Sequence, residues 1–372
     1  MRVHANAAAL TGTPFMSGGE FTVGAEEELL LVDDGNRLRR APADDLVDAV
    51  RDECTEVAAV STELYAAEIE FATVVCDDAD GVGACLAQAR AALARAGGRG
   101  LAVGVHPDGA FGDARLTEGA RYRRIGTDFA GLLRTPTASL QVHVGVPDAD
   151  AAIAAYRGLR NRLAVLSALA AGSPFWHGRD SGLASARWAV INSYPRGGVP
   201  PLVTRWDEYV ALAEAVVSAA EAPDYTHVWW DVRVQPRFGT VEVRVMDPQP
   251  SLAAAAGLTA LVQGLARDAV EHPSGVDVPG AVLGENDFRV ARHGLETTVV
   301  DLDGTVRPVR ELARELVARA RAVLDDRQVA PLEAVDQLLV DEPGDARQRR
   351  IHHEHGMDGL LADLSARTME GR

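Results

Sequence analysis

The stretch Phe21-Thr22-Val23-Gly24-Ala25-Glu26-Glu27-Glu28-Leu29-Leu30-Leu31-Val32 decides how the rest of the chain is read. Side chains alternate across a strand, so Glu26 and Glu28 share one face while Val23, Ala25, Leu29 and Leu31 share the other. One face is acidic and the other apolar. Residues 66–72 repeat the division, with Glu68 and Glu70 opposite Ala67, Ile69 and Phe71, and Glu63 close upstream. Residues 139–146 set Ser139, Gln141 and His143 against Leu140, Val142, Val144 and Val146. Residues 227–234 set His227, Trp229, Asp231 and Arg233 against Val228, Trp230, Val232 and Val234. Residues 240–246 set Glu242 and Arg244 against Val241, Val243 and Val245. Glu27 alone puts a charge on the apolar side, where it is expected to pair with a buried arginine.

Between these segments, apolar residues recur at three- and four-residue steps over 83–96, 149–171, 209–220, 251–271 and 309–326, which predicts helices. The combination predicts an α+β fold: one curved, largely antiparallel sheet with helices on its apolar face and a half-enclosed polar basin on the other. An open sheet with a solvated outer face would alternate similarly. Its outer positions would carry threonine, serine and mixed charges, whereas these repeat glutamate with arginine, histidine and tryptophan. No repeat or low-complexity linker divides the chain, so residues 21–372 read as a single domain after an N-terminal extension, residues 1–20, expected to be flexible.

Composition narrows the chemistry. The 372 residues carry 37 Lys plus Arg against 54 Asp plus Glu, a formal charge of −17, which is not a nucleic-acid binder's balance. Every one of those cations is arginine. Without lysine there is no Walker P-loop, no kinase-type strand lysine and no Schiff-base chemistry, and no G-x-G-x-x-G occurs. Cys54, Cys76 and Cys85 form no C-x-x-C pair and read as reduced thiols of a cytoplasmic protein. No apolar run is long enough to span a bilayer, and the first residues lack the core of a signal peptide.

Glutamates Glu26, Glu28, Glu63, Glu70 and Glu242 gathered in a sheltered cleft would repel one another and resist ionisation unless cations neutralise them. An all-oxygen set favours Mg²⁺, or Mn²⁺, over Zn²⁺. Arg233, Arg237 and Arg244 supply forked donors suited to phosphate or carboxylate groups. Metal ions with arginines point to phosphoryl transfer. The run His352-His353-Glu354-His355 lacks H-E-x-x-H spacing and reads as solvated surface, and Asp301 with Asp303 reads as a hairpin turn. The tryptophans Trp176, Trp188, Trp229 and Trp230 read as core anchors.

These residues fall within a recognisable pattern. Val23 to Glu28, Gln141-Val142-His143-Val144-Gly145, Ser173-Pro174-Phe175-Trp176 with Gly178-Arg179-Asp180, Trp230-Asp231-Val232-Arg233, Pro236 to Arg244, and Glu285 to Arg289 with Ala291 to Leu295 occur in order over most of the chain. Together they resemble the type-2 glutamate–cysteine ligase, or YbdK-like carboxylate–amine ligase, family. The resemblance implies a glutamine-synthetase-like funnel, ATP and Mg²⁺ as cofactors, and amide formation, γ-glutamyl or a relative of it, through an acyl phosphate. It implies metal ligands Glu26, Glu28, Glu63, Glu70 and Glu242, Arg244 beside the transferring phosphoryl group with Arg237 and Arg233 near the nucleotide, and His143 as a pocket residue. The implied partners are a small carboxylic acid and a small amine, with no nucleic acid or membrane, and a homodimer is compatible. A peptide or protein acceptor, or a nucleotide-binding protein without turnover, are the competing expectations. Two positions depart from the family pattern: Gln141 and Gln235 stand where histidines are usual, which bears on the choice of substrate.

Overall fold

The computed structural model describes residues 10, 13–110, 112–113, 115–132 and 135–371. Among these, seven antiparallel strands build one sheet: β1 (Val23–Leu31), β2 (Ala58–Thr62), β3 (Glu68–Thr73), β4 (Gly100–Leu101), β5 (Leu140–Gly145), β6 (Val232–Gln235) and β7 (Thr240–Met246). The order is β6-β7-β5-β1-β3-β2, with β4 alongside β1. Registry carries the acid/apolar division across the whole sheet. Ala25 lies opposite Val142, Val142 opposite Val243 and Val243 opposite Val232, so the apolar rows align. Glu28 lies opposite Glu70, Glu26 opposite Gln141, His143 opposite Glu242 and Glu242 opposite Arg233 on the other face.

Helices α1 (Asp44–Cys54), α2 (Ala79–Arg95), α3 (Ala149–Arg160), α4 (Leu252–Glu271) and α5 (Val309–Val323) cover the apolar side, and α4 packs against α2, α3 and α5. Helix α4 is buried on nearly every side because its residues are small or apolar all round. Polar side chains fix where the helices begin: Asp78, Asp148 and Ser251 accept from the backbone N–H groups of Gly81, Ala151 and Ala254. The expected partner of Glu27 is Arg90 of α2, which donates to both carboxylate oxygens (2.9 and 2.6 Å) and to the carbonyls of Gln249, Pro250 and Thr368.

Two expectations are corrected, and one element was not anticipated. The helix expected over 149–171 is two, α3 and Leu163–Ala170, because Arg160 turns inward to the carbonyls of Pro200 and Val278 and the chain breaks at Asn161 and Arg162. The strand expected over 227–234 is interrupted. His227 ends a short 3-10 turn begun by the Asp224 side chain, and Trp229–Trp230 pairs in parallel with Gly197–Gly198 before β6 starts. A long C-terminal helix, α6 (Gly344–Glu370), has no counterpart in the sequence reading because Gly356 (φ 69°) kinks it and interrupts its period. His353, Glu354 and His355 on it are exposed, as expected, and His352 rests on Phe175.

Residues 1–9, 11 and 12 of the proposed extension lie outside the described residues. From residue 13 the chain lies on the sheet: Met16 N–H donates to Pro236 C=O, Gly18 N–H donates to Val146 C=O, and Phe15 meets Trp206 edge-on. Gly18 and Gly239 are required here, since a Cβ on Gly18 would sit 2.2 Å from Gly239 O and Gly239 has φ +65°. The hairpin at Asp301 and Asp303 is present, between Thr298–Val300 and Val306–Pro308. No helix among the described residues is long and apolar enough to cross a membrane.

Candidate active site

The polar face of the sheet opens into a cavity of about 1100 Å³, continuous with solvent, lined by Glu26, Glu28, Glu63, Glu70, Arg233 and Arg244. Strand alternation puts Glu26, Glu28 and Glu70 there, and Glu63 follows directly after β2. Glu28 accepts from Ser139 Oγ (2.9 Å) and Gln141 Nε2 (2.7 Å), Glu70 accepts from Ser61 (3.1 Å), and Glu63 accepts from the Leu64 N–H (2.7 Å). Burial and the neighbouring Glu63 push Glu28 up to about 7. Burial, with the surrounding glutamates, raises Glu70 well above the usual carboxylate range. Burial likewise raises Glu63. The cluster is therefore short of positive charge, as the sequence reading anticipates.

Glu26, His143 and Glu242 form the one set of three acid or histidine groups, among the described residues, whose ligand atoms all approach within 4.8 Å. His143 Nε2 lies 3.3 Å from Glu26 and its Nδ1 lies 3.0 Å from Thr240 Oγ1. Burial alone would lower His143, but the charges of Glu242 and Glu26 outweigh it and the imidazole is raised. Burial likewise opposes ionisation of Glu26, and the hydrogen bond and charge of His143 hold it below its ordinary value.

Glu242 is fully buried and already paired. Arg233 donates to both its oxygens (2.6 and 3.1 Å), Arg244 donates to Oε1 and Gln235 donates to Oε2 (2.7 Å). Those cations overcome burial and hold it well below the usual range. Arg233 also donates to the carbonyls of Thr226 and Val228, so its fork braces Glu242 at the cavity wall. Arg244 reaches Gln141 and Glu242 through Nη1 and lines the cavity. Arg237 does not. It stands exposed in the turn between β6 and β7, where strand alternation has ended, 5.9 Å from the Tyr225 ring centre.

Both departures from the family pattern sit inside this network. Gln141 donates to Glu28 and Ser139 and accepts from Arg244, and Gln235 donates to Glu242. An amide can bridge a carboxylate and a guanidinium at once, which a neutral imidazole also manages but an imidazolium does not. Sequence reasoning left out Glu68, Asp231 and Arg187 as site residues, yet all three line the cavity. Parity with Glu70 was an available signal for Glu68. For Arg187, on the short helix Ala186–Ile191, no spacing pattern marked it.

The acids fit the divalent cation that the resemblance implies. Glu28 is buried and Glu63 and Glu70 are half-buried, none has an arginine paired to it directly, and all three face one cavity beside the Glu26, His143 and Glu242 set. The tryptophans anchor as expected in part: Trp230 is buried against Tyr209, whereas Trp229 lines the cavity.

Comparison with known proteins follows the same line. Residues 22–366 match the family model for glutamate–cysteine ligase family 2 (GCS2). A Rubrobacter xylanophilus protein carrying the glutamate–cysteine ligase 2 name is 35% identical over 95% of this chain and 98% of its own. A glutamate–cysteine ligase of Haloferax volcanii is 34% identical over 92% and 96%. Among solved structures, the Francisella tularensis glutamate–cysteine ligase in complex with AMP shares the fold, with a TM-score of 0.72 at 14% identity over 95% of this chain and 89% of that one. The chain belongs to glutamate–cysteine ligase family 2, and with it to the ATP-dependent ligases.

Proposed function

We propose that the protein joins a small carboxylic acid, glutamate or a close relative, to an amine through an acyl phosphate. The observation that carries this reading is the convergence of Glu26, Glu28, Glu63 and Glu70 with Arg244 on one cavity. In the first step a carboxylate oxygen of the acid attacks the γ-phosphorus of ATP and the β–γ bridging P–O bond breaks, releasing ADP. In the second the amine nitrogen attacks the acyl carbon, phosphate leaves with the C–O pair, and the nitrogen sheds protons to give the amide. Bound Mg²⁺ would neutralise phosphate oxygens, and Glu26, Glu28, Glu63, Glu70 and Glu242 are the residues that would hold it, Glu26 and Glu242 beside His143. Arg244 offers fixed positive charge at the cavity wall, and its Nη1 bonds to Gln141 and Glu242 keep that charge from reorienting. Gln141 and Ser139 orient Glu28, while Arg233 and Gln235 hold Glu242 rigid behind His143.

Catalysis of this kind rests on positioning and charge neutralisation, so no lysine or covalent nucleophile is required. ATP consumption and three free cysteines are in keeping with a cytoplasmic location. The test is ADP release from folded protein supplied with ATP, Mg²⁺, glutamate and a panel of amines. Amide product with stoichiometric ADP is expected; no ADP with any acid and amine pair overturns the reading.

A further inference from the structure

Four glutamates on this sheet are fully or nearly fully buried, and three have a built-in answer to their charge. Glu27 has Arg90, Glu242 has Arg233 and Arg244, and Glu28 has Ser139 and Gln141. Glu68 has none of these. It is 2% exposed, accepts only from the Tyr65 N–H (3.2 Å), and its Oε1 has no hydrogen-bond partner. It lines the cavity, and the charges bearing on it are those of Glu28, Glu63 and Glu70. An unanswered buried carboxylate facing a cavity is a site for a positive charge.

Two kinds of cation are open to it, and the surroundings separate them. A divalent ion needs several converging ligand atoms, which Glu26, His143 and Glu242 bring within 4.8 Å of one another, whereas Glu68 offers a single free oxygen, Oε1, its other accepting from the Tyr65 N–H. An organic ammonium needs one carboxylate and is favoured by aromatic faces. Those are present: Tyr65, buried, and Tyr194 and Trp229 line the same cavity, and the Glu68 charge is felt at the hydroxyls of both tyrosines. Tyr194 meets Trp229 edge-on at 6.3 Å, and Ile125 and Ile191 complete an apolar wall.

Building on the ligase reading above, we propose that Glu68 receives the ammonium group of the acceptor amine, with Tyr65, Tyr194 and Trp229 around it, so that the acceptor is a primary amine with an apolar or aromatic body. Glu68 is then a specificity-determining residue, distinct from the acids that would hold metal. The attacking nitrogen loses its proton before the C–N bond forms, so the subsite describes capture of the amine and not the bond-making step.

The test uses the full-length protein and calorimetric titration with phenethylamine hydrochloride and with 2-phenylethanol, its neutral counterpart. Wild type is expected to bind the amine at least tenfold more tightly than the alcohol. Glu68→Gln, isosteric and checked for folding by circular dichroism, should lose that preference while its Mg²⁺ affinity stays within twofold. Tyr194→Leu should weaken amine binding several-fold without touching Mg²⁺. In turnover, Glu68→Gln should raise the KM for amine at least tenfold with the KM for ATP within twofold. Equal binding of alcohol and amine by wild type, retained preference in Glu68→Gln, or loss of Mg²⁺ in that variant would each overturn the proposal. Absence of ADP release by wild type with every amine would remove the ligase reading separately, since binding is measured without turnover.

Discussion

Glu26 and Glu242 lie on one face of the sheet, on the two strands that flank β5, yet their surroundings give them different work. Glu26 has His143 beside it and is partly open to the cavity, whereas both oxygens of Glu242 are engaged by arginines and an amide. Glu26→Gln is therefore expected to lower turnover at least 100-fold, in line with loss of a metal ligand, with thermal stability held within about 1 kcal/mol. Glu242→Gln strands Arg233 and Arg244 and should cost about 3–5 kcal/mol in addition to activity, as removal of one partner from a buried pair does. Denaturant titration beside steady-state kinetics separates the two. Gln141 holds Glu28 through its amide nitrogen and receives Arg244 at its oxygen. Gln141→His can bridge both only as the neutral imidazole and without the amide's second N–H, which reaches Ser139, so the preferred acid or amine should change more than the maximal rate; an unchanged substrate profile would disconnect this position from specificity.

At the level of elements, one buried ion pair ties sheet to helices. Arg90 of α2 reaches Glu27 of β1 and three carbonyls, one of them in the last turn of α6. Its whole donor set is used, which is the condition under which a buried arginine is tolerated. Arg90→Met leaves Glu27 buried without a partner and frees three acceptors, so stability should fall by about 3–5 kcal/mol, read as a lower urea midpoint. The double variant Glu27→Leu with Arg90→Met should recover much of that loss, because a matched apolar pair removes the uncompensated charge. The pairing was legible in the sequence as a need, from one glutamate on an apolar face. Which arginine answers it was not, since Arg90 lies 63 positions away on a helix whose own pattern gives no sign of the contact.

Across the whole molecule the carboxylate-rich cavity should couple proton, metal and fold. Glu28 is raised to about 7, with Glu63, Glu68 and Glu70 also raised by burial, whereas their unfolded values are those of ordinary carboxylates. A raised folded pKa stabilises below the unfolded value and that stability is lost as pH rises through the folded value. Metal-free protein is thus expected to melt at a lower temperature at pH 8 than at pH 5.5. The Mg²⁺-induced rise in melting temperature should run the other way, larger at pH 8, because the ion competes with protons for the same oxygens. Glu26 and Glu242 are lowered, so their contribution is present above the ordinary carboxylate value and disappears in more acid solution. A Mg²⁺ effect independent of pH in calorimetric melts would separate the ion from this cluster.

The sequence by itself determined the α+β class, the strand faces, and the identity of the acids that face inward, because period-two alternation is local and each strand carries it alone. It also marked the helices on the apolar side wherever an unbroken period ran long enough. Tertiary structure decided the rest. Registry chose which acids meet, so that Glu28 faces Glu70 while Glu242 is consumed by Arg233 and Arg244. The turn after β6 carried Arg237 outward, and packing left Glu68 buried with one carboxylate oxygen unpartnered. Charge neutralisation depends on distances between residues far apart in the chain, and no spacing pattern within a single strand encodes those distances.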